Sequence, residues 1–184
     1  TFLLGVLVSF FGAGVSANGD LCSSTDFRRA FLDGAPVTMH EDYTSMSPVL
    51  VGFGDRAIPC LKTIVAGKAQ TLGITECAAA PEACRSWALG AIGKIGTPTA
   101  RNYLIDFLGR SKNSHLLEGA ALSLANLRAQ EARPALLALL KHPNVKLRAS
   151  TILSLGVIGN RDDFNAMLAA TLALPPQEIY RGAV

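Results

Sequence analysis

Three stretches of this 184-residue chain can be laid under one another at a near-constant offset. That repetition constrains the fold more than any other feature. RSWALGAIGKIGTPTARNYLIDFLGR begins at Arg85, LEGAALSLANLRAQEARPALLALLKH at Leu117 and RASTILSLGVIGNRDDFNAMLAATLA at Arg148. Ile92, Leu124 and Leu155 fall in register. So do Ile95, Leu127 and Ile158, and then Leu104, Leu136 and Met167, with steps of 32 and 31 residues. A unit of that length cannot bury its own apolar face and must stack on its neighbours, which predicts a helical solenoid.

Each unit divides into two helical patterns. Leu89, Ile92 and Ile95 put one face of a first helix in the core, and Leu104, Phe107 and Leu108 do so for a second. Between them stand breakers. Thr97-Pro98 is a good helix start, because threonine caps and proline lacks only an N–H that would be unpaired there. Gly96 and Gly159-Asn160 read as helix-ending residues. Pro134 falls in the first turn of its helix, and Asn144 after Pro143 reads as a cap. Gly90, Gly93 and Gly156 each cost about 1 kcal/mol of helix propensity relative to alanine. Close approach of a neighbouring helix would offset that, and Ala120, Ala121, Ala125 and Ser154 are similarly small. A phosphate-binding loop is the sharper reading of such glycines. They lie inside helical patterns, however, with no Gly-Lys-Ser/Thr after them.

A weaker unit, SPVLVGFGDRAIPCLKTIVAG, precedes these from Ser47. Ser47-Pro48 is its helix start, Gly54 to Ala57 its turn, and Leu50 stands 42 residues before Ile92. The excess is an insertion carrying Cys77. The expected organisation is a segment 1–17, an N-terminal capping segment 18–46, and an array 47–174. The array comprises units 47–67, 82–111, 114–142 and 144–174 with a cysteine-containing insertion 68–81, and a tail 175–184 follows. Within the capping segment, Thr25 to Leu32 reads as a short amphipathic helix ended at Gly34.

These residues resemble the HEAT-like repeat family, in the short form also found in phycobilisome lyases. Ala91-Ile92-Gly93-Lys94-Ile95-Gly96-Thr97 and Ala132-Arg133-Pro134-Ala135-Leu136 carry the likeness. Arg85 and Arg148 stand where the family often has an arginine early in its first helix. The chain departs from the pattern at Leu117, at Arg128 in place of the turn glycine, and at Asp163 and Asn165. The resemblance implies an all-α, right-handed α-solenoid of about four helix pairs, whose second helices line a concave face. It implies a fold and leaves function open, since such repeats serve many partners.

The opening FLLGVLVSFFGAGVSA reads as the apolar centre of a secretory signal peptide, cleaved after Ala17 at Val15-Ser16-Ala17. The stretch is shorter than the ~20 residues that span a bilayer. Secretion, or residence in a periplasm, follows from that reading. Four cysteines lie beyond the cleavage point: Cys22, Cys60, Cys77 and Cys84. An even number in an exported chain suggests disulfides, with three possible pairings. Cys77–Cys84 and Cys22–Cys60 are favoured, the first closing a short loop and the second pinning the N-terminal segment to the first helix pair. Free thiols and a metal site are the alternatives, and the paired C-x2-C spacing of structural zinc is absent.

Catalytic signals are weak. His40-Glu41-Asp42-Tyr43 is the only local cluster of acid–base types, and a polar loop accounts for it. His115 and His142 are expected in turns between repeats. The scattered serines (Ser23, Ser24, Ser45, Ser47) lie in no Gly-x-Ser-x-Gly elbow. Arg85 and Arg148 are expected to hydrogen-bond the preceding unit, and Asp162 and Asp163 to cap turns. No cofactor or metal is called for. The net charge of +3, without a dense basic run, gives no nucleic-acid footprint.

What remains is surface. Leu104, Leu108, Leu136 and Leu140 are expected to face the core. Arg101, Asn102, Asp106, Arg133, Lys141 and Asn165 are then the outward candidates for binding a partner. The function expected is an exported, non-catalytic scaffold or adaptor for a protein partner, without stable membrane insertion after cleavage. A structural spacer of a longer exported protein is the alternative. An enzyme of the bilin-lyase sort is suggested by repeat type alone, and export argues against it.

Overall fold

A computed structural model describes residues 20–33, 35 and 46–176. The leader expected at 1–17, the His40–Tyr43 cluster and the tail from 177 lie outside the described residues. Among the described residues the chain is all-helical, with no strand. The α-helices are α1 Thr25–Leu32, α2 Pro48–Gly52, α3 Ile58–Val65, α4 Pro81–Ile95, α5 Pro98–Arg110, α6 Ser114–Asn126, α7 Arg133–Leu139, α8 Val145–Ile158 and α9 Phe164–Leu172. In chain order the helices fall into the units α2–α3, α4–α5, α6–α7 and α8–α9. The first helices form one row, in which α2 touches α4, α4 touches α6 and α6 touches α8. Each first helix also lies on the second helix of the unit before it: α4 on α3, α6 on α5 and α8 on α7. This is an α-solenoid.

Local chemistry sets the helix ends. Thr97 Oγ1 accepts from the Ala100 N–H, Asn113 Oδ1 from His115 and Leu116, and Asn144 Oδ1 from Leu147. Proline stands in the first turn of α2, α3, α4, α5 and α7, where its missing N–H is not needed. Ser47 differs from expectation: its side chain makes no cap hydrogen bond, and its buried hydroxyl has no partner. His115 belongs to the first turn of α6 and not to a turn between units.

The turn after each first helix repeats with variation. Gly54 and Gly96 take positive φ, +56° and +65°, and Arg128 at the matching position takes +50°. An arginine there holds a left-handed backbone that glycine adopts without strain. Gly159 is the exception, with extended backbone (φ −68°, ψ 174°). It is held to glycine by space, since a Cβ would lie 2.4 Å from the Leu155 carbonyl oxygen.

The core runs through the stack. Ile92, Leu124 and Leu155 are fully buried, as are Leu104 and Leu136, with Leu108 and Leu140 nearly so. Small residues seat the first helices on one another. A Cβ built on Gly93 of α4 would lie 2.7 Å from both Cβ and Oγ of Ser123 on α6. Ala120, Ala121, Ala125 and Ser154 are buried in the same row. Gly156 does not behave as its sequence position suggests, because nothing lies within 4 Å of a Cβ there.

At the N-terminal end α1 packs on α2 and buries Phe27 and Phe31 completely. The Trp87 indole N–H of α4 donates to the Phe31 carbonyl at 3.0 Å, which ties the end of α1 to the array. Cys22 and Cys60 are joined, with Cα atoms 5.0 Å apart, and so are Cys77 and Cys84, at 5.7 Å. The first bridge holds the N-terminal segment on α3. The second folds the inserted segment, two short 3-10 turns at Ala69–Leu72 and Thr75–Ala78, onto the start of α4.

Four outcomes follow. Gly93→Ala is expected to lower stability by about 1–2 kcal/mol despite its better helix propensity, because the added methyl overpacks the α4–α6 contact. Gly109→Ala on α5, which has open space, is expected to raise it by up to about 1 kcal/mol. Equal effects in urea melts would refute the close-approach argument. Replacing Cys22 and Cys60 together by alanine opens a loop of 38 residues and is expected to cost about 2–4 kcal/mol. Opening the short Cys77–Cys84 loop should cost about 2 kcal/mol or less.

Candidate functional site

The repeat places polar side chains at matching points of successive units, and two ladders result. One runs along the turns within units. Thr97 Oγ1 donates to Asp55 of the preceding unit, and Thr99 Oγ1 donates to the same carboxylate at 2.9 Å. Arg101 at the start of α5 reaches Glu131 of the following unit at 3.3 Å. Arg133 at the start of α7 reaches Asp163 of the following unit at 2.6 Å. Both partners advance by 32 residues, so one contact is made twice. The second ladder joins the starts of the first helices. Asn113 Nδ2 donates to Glu82 at 2.9 Å, and Asn144 Nδ2 to Ser114 Oγ at 3.2 Å.

Asp163 is the buried member, with 2% of its side chain exposed. It also accepts the Asn160 N–H at 2.9 Å, closing a capping box. The Arg133 hydrogen bond first, and the Asn160 amide second, hold the Asp163 carboxyl below the usual carboxylate range. Arg101 is less complete, because its buried Nε has no partner. Arg85 and Arg148 serve the stack as well. Arg85 Nε donates to the Val65 carbonyl at the end of α3. Arg148 Nη1 donates to the His142 and Pro143 carbonyls after α7.

The six outward candidates therefore divide. Arg101 and Arg133 are half-buried ladder members. Asn102, Asp106, Lys141 and Asn165 are exposed. Asn102 and Asp106 lie on α5, Lys141 in the turn after α7 and Asn165 on α9. The register extends them into a grid across three second helices: Asn102, Pro134 and Asn165; Asp106, Ala138 and Ala169; Gly109, Lys141 and Leu172. All nine positions are exposed. Sequence reasoning that favours polar residues passes over Pro134, Ala138, Ala169 and Leu172, although the repeat offset alone would locate them. The grid holds one acid and one base, and its apolar character grows toward α9, where Leu172 is 76% exposed.

A cleft of about 330 Å3 opens between α4 and α6, lined by Gly90, Gly93, Gly119, Leu122, Ser123 and Leu127 among others. It exists because the residues that let these helices approach leave no side chains to fill it. Among the described residues no group of three or more His, Cys, Asp or Glu side chains could hold a metal ion. No helix there is long and apolar enough to cross a membrane.

The Asp163 contacts make stability depend on pH. The folded-state carboxyl titrates below the unfolded value of about 3.9. Its contribution is therefore complete above that value and is lost as pH falls through the folded one. Glu76, lowered by its Arg28 hydrogen bond, acts in the same direction. Asp163→Asn is expected to flatten the fall in stability below about pH 4, as read by denaturant midpoints against pH. An unchanged slope would show that the ladder carboxylate is not linked to folding.

Residues 74–156 match the family model described as HEAT repeats. No curated protein matches the chain, and no solved structure does. The matched segment runs from the Cys77 turn through α4 to α7 and into α8. The near-constant offset, the paired helices and that match together show that the chain carries HEAT-like repeats.

Proposed function

We propose that the chain is an exported, non-catalytic scaffold that holds a protein partner on the face formed by α5, α7 and α9. HEAT repeats generally mediate protein–protein interaction or scaffolding. The observation that carries the reading here is the grid of nine exposed positions in register. The ladders behind it hold successive second helices at fixed spacing, so little conformational freedom is lost when the face is covered. Its mixture of small, apolar and sparsely charged residues suits a protein surface better than a phosphate backbone, which demands arginine and lysine. The two cysteine bridges support an oxidising compartment, in keeping with a leader cleaved after Ala17.

The test is capture by tagged protein from an envelope extract of the host, with quantitation of each retained protein. Ala138→Arg and Ala169→Arg place bulky charge on the grid without touching the ladders. They are expected to reduce retention of a stoichiometric partner at least tenfold. Lys94→Glu, beside the α4–α6 cleft, is expected to leave it unchanged. Equal retention by all three variants would reject this face as the binding surface. Secretion assayed with residues 1–17 fused to a reporter tests the leader, with mass analysis expected to place the mature start at Asn18.

A further inference from the structure

The repeat acts as its own control, and the seam between α3 and α5 departs from it. On α5, Tyr103, Phe107 and Arg110 stand four and then three residues apart, on one side of the helix. One unit on, the matching residues are Ala135, Leu139 and His142, and Ile105 holds the place that Lys62 has on α3. Ile105 and Ala135 pack against the core. Stacking is thus achieved there with aliphatic side chains, and the repeat does not demand the aromatic and basic set between α3 and α5. In that set the Lys62 ammonium lies 5.0 Å from the centroid of the Tyr103 ring, an attractive arrangement for a cation. The Tyr103 and Phe107 rings are 6.0 Å apart. Both rings are half-buried, whereas Lys62 and Arg110 are exposed. Burial raises the Tyr103 phenol above its ordinary range, and the charges of Arg110 and then Arg85 act against that, so both guanidinium groups stand near the hydroxyl. The hydroxyl has no hydrogen-bond partner among the described residues.

Positive charge is in excess here. Residues 58–68 and 98–113, which comprise α3, α5 and the turns after them, hold one carboxylate side chain, Asp106. Arg101 is taken by Glu131, which leaves Lys62, Lys68, Arg110 and Lys112. Asp106 meets Arg110 only at 3.4 Å, with the side chains 69% and 71% exposed, and a pair of that kind holds its partners weakly. Glu82, the acid at the start of α4, is already shared between Arg85 and Asn113. Lys62, Lys68 and Lys112 meet no carboxylate among the described residues. We propose that the seam between α3 and α5 binds an acidic segment of the protein partner, with a carboxylate between Lys62 and Arg110 and an apolar side chain on the Tyr103 and Phe107 rings. This rests on the reading of α5, α7 and α9 as the partner face, and extends that face by one second helix. Tyrosine beside arginine is the composition of protein binding hot spots. A nucleic acid would call for a denser basic track.

The test titrates the full chain with a short fluorescein-labelled peptide of glutamates around one central leucine, read by anisotropy, and with the same peptide carrying glutamines. The glutamate peptide is expected to bind at least tenfold tighter. Lys62→Gln with Arg110→Gln is expected to weaken it at least tenfold with the circular dichroism unchanged, whereas Lys141→Gln changes it less than twofold. Equal binding of the two peptides would overturn the proposal, and so would an equal loss with Lys141→Gln, which marks attraction by net charge alone. Displacement of the peptide by inorganic phosphate in equal amount would assign the cluster to a small anion, and tighter binding of a single-stranded oligonucleotide would assign it to nucleic acid; either result overturns the proposal. Partner capture separates this site from the grid. Retention lost with Ala138→Arg but kept with Lys62→Gln and Arg110→Gln would leave the grid standing and overturn this site. Retention lost with Lys62→Gln and Arg110→Gln but kept with Ala138→Arg would support this site and reject the grid.

Discussion

The close contact of α4 on α6 is the constraint from which the rest of the stack follows. With no side chain at Gly93, Ser123 occupies the space a Cβ would need, and Leu89 reaches over Gly119. That closeness brings the turns of successive units within hydrogen-bonding distance. Only then can Arg101 reach Glu131, and Asn113 reach Glu82. Surface ion pairs contribute little singly. Here their value lies in repetition: each fixes the rotation of one unit on the next, and the second helices stay in register.

The two ends of the described stack differ physically. A solenoid exposes apolar surface wherever stacking stops. At the N-terminal end α1 answers this with Phe27 and Phe31, held by the Trp87 hydrogen bond and the Cys22–Cys60 bridge. At the other end α9 has no buried side chain, and Phe164, Leu168 and Leu172 stand out. The ladder also changes there, since the arginine position becomes phenylalanine. Contact across that end is therefore apolar, unlike the charged contacts inside the array.

Much of this was legible from residues alone. The offset of 32 and 31 residues placed Ile92, Leu124 and Leu155 in one buried row, and they are buried. Thr97 and Asn144 cap as their positions suggest, because capping depends on neighbours within one turn. The roles of Arg85 and Arg148 followed from their shared register. The candidate surface was less legible. Arg101 and Arg133 look like binding residues when side-chain type is the guide, and both are spent on the next unit's acids. The converse holds for Ala138 and Ala169, which no chemical signal marks.

The sequence by itself determined the repeat, the helix boundaries and the apolar stripe, because each rests on periodicity or on contacts a few residues apart. Tertiary structure alone decided which glycines are compressed, which arginines are bound and which face is free. Gly93 and Gly156 are the same residue in the same register. They differ because a helix thirty residues further along the chain covers one and, among the described residues, none covers the other. Such differences depend on which neighbour a unit meets in space, and a repeating pattern carries no record of where its stacking ends.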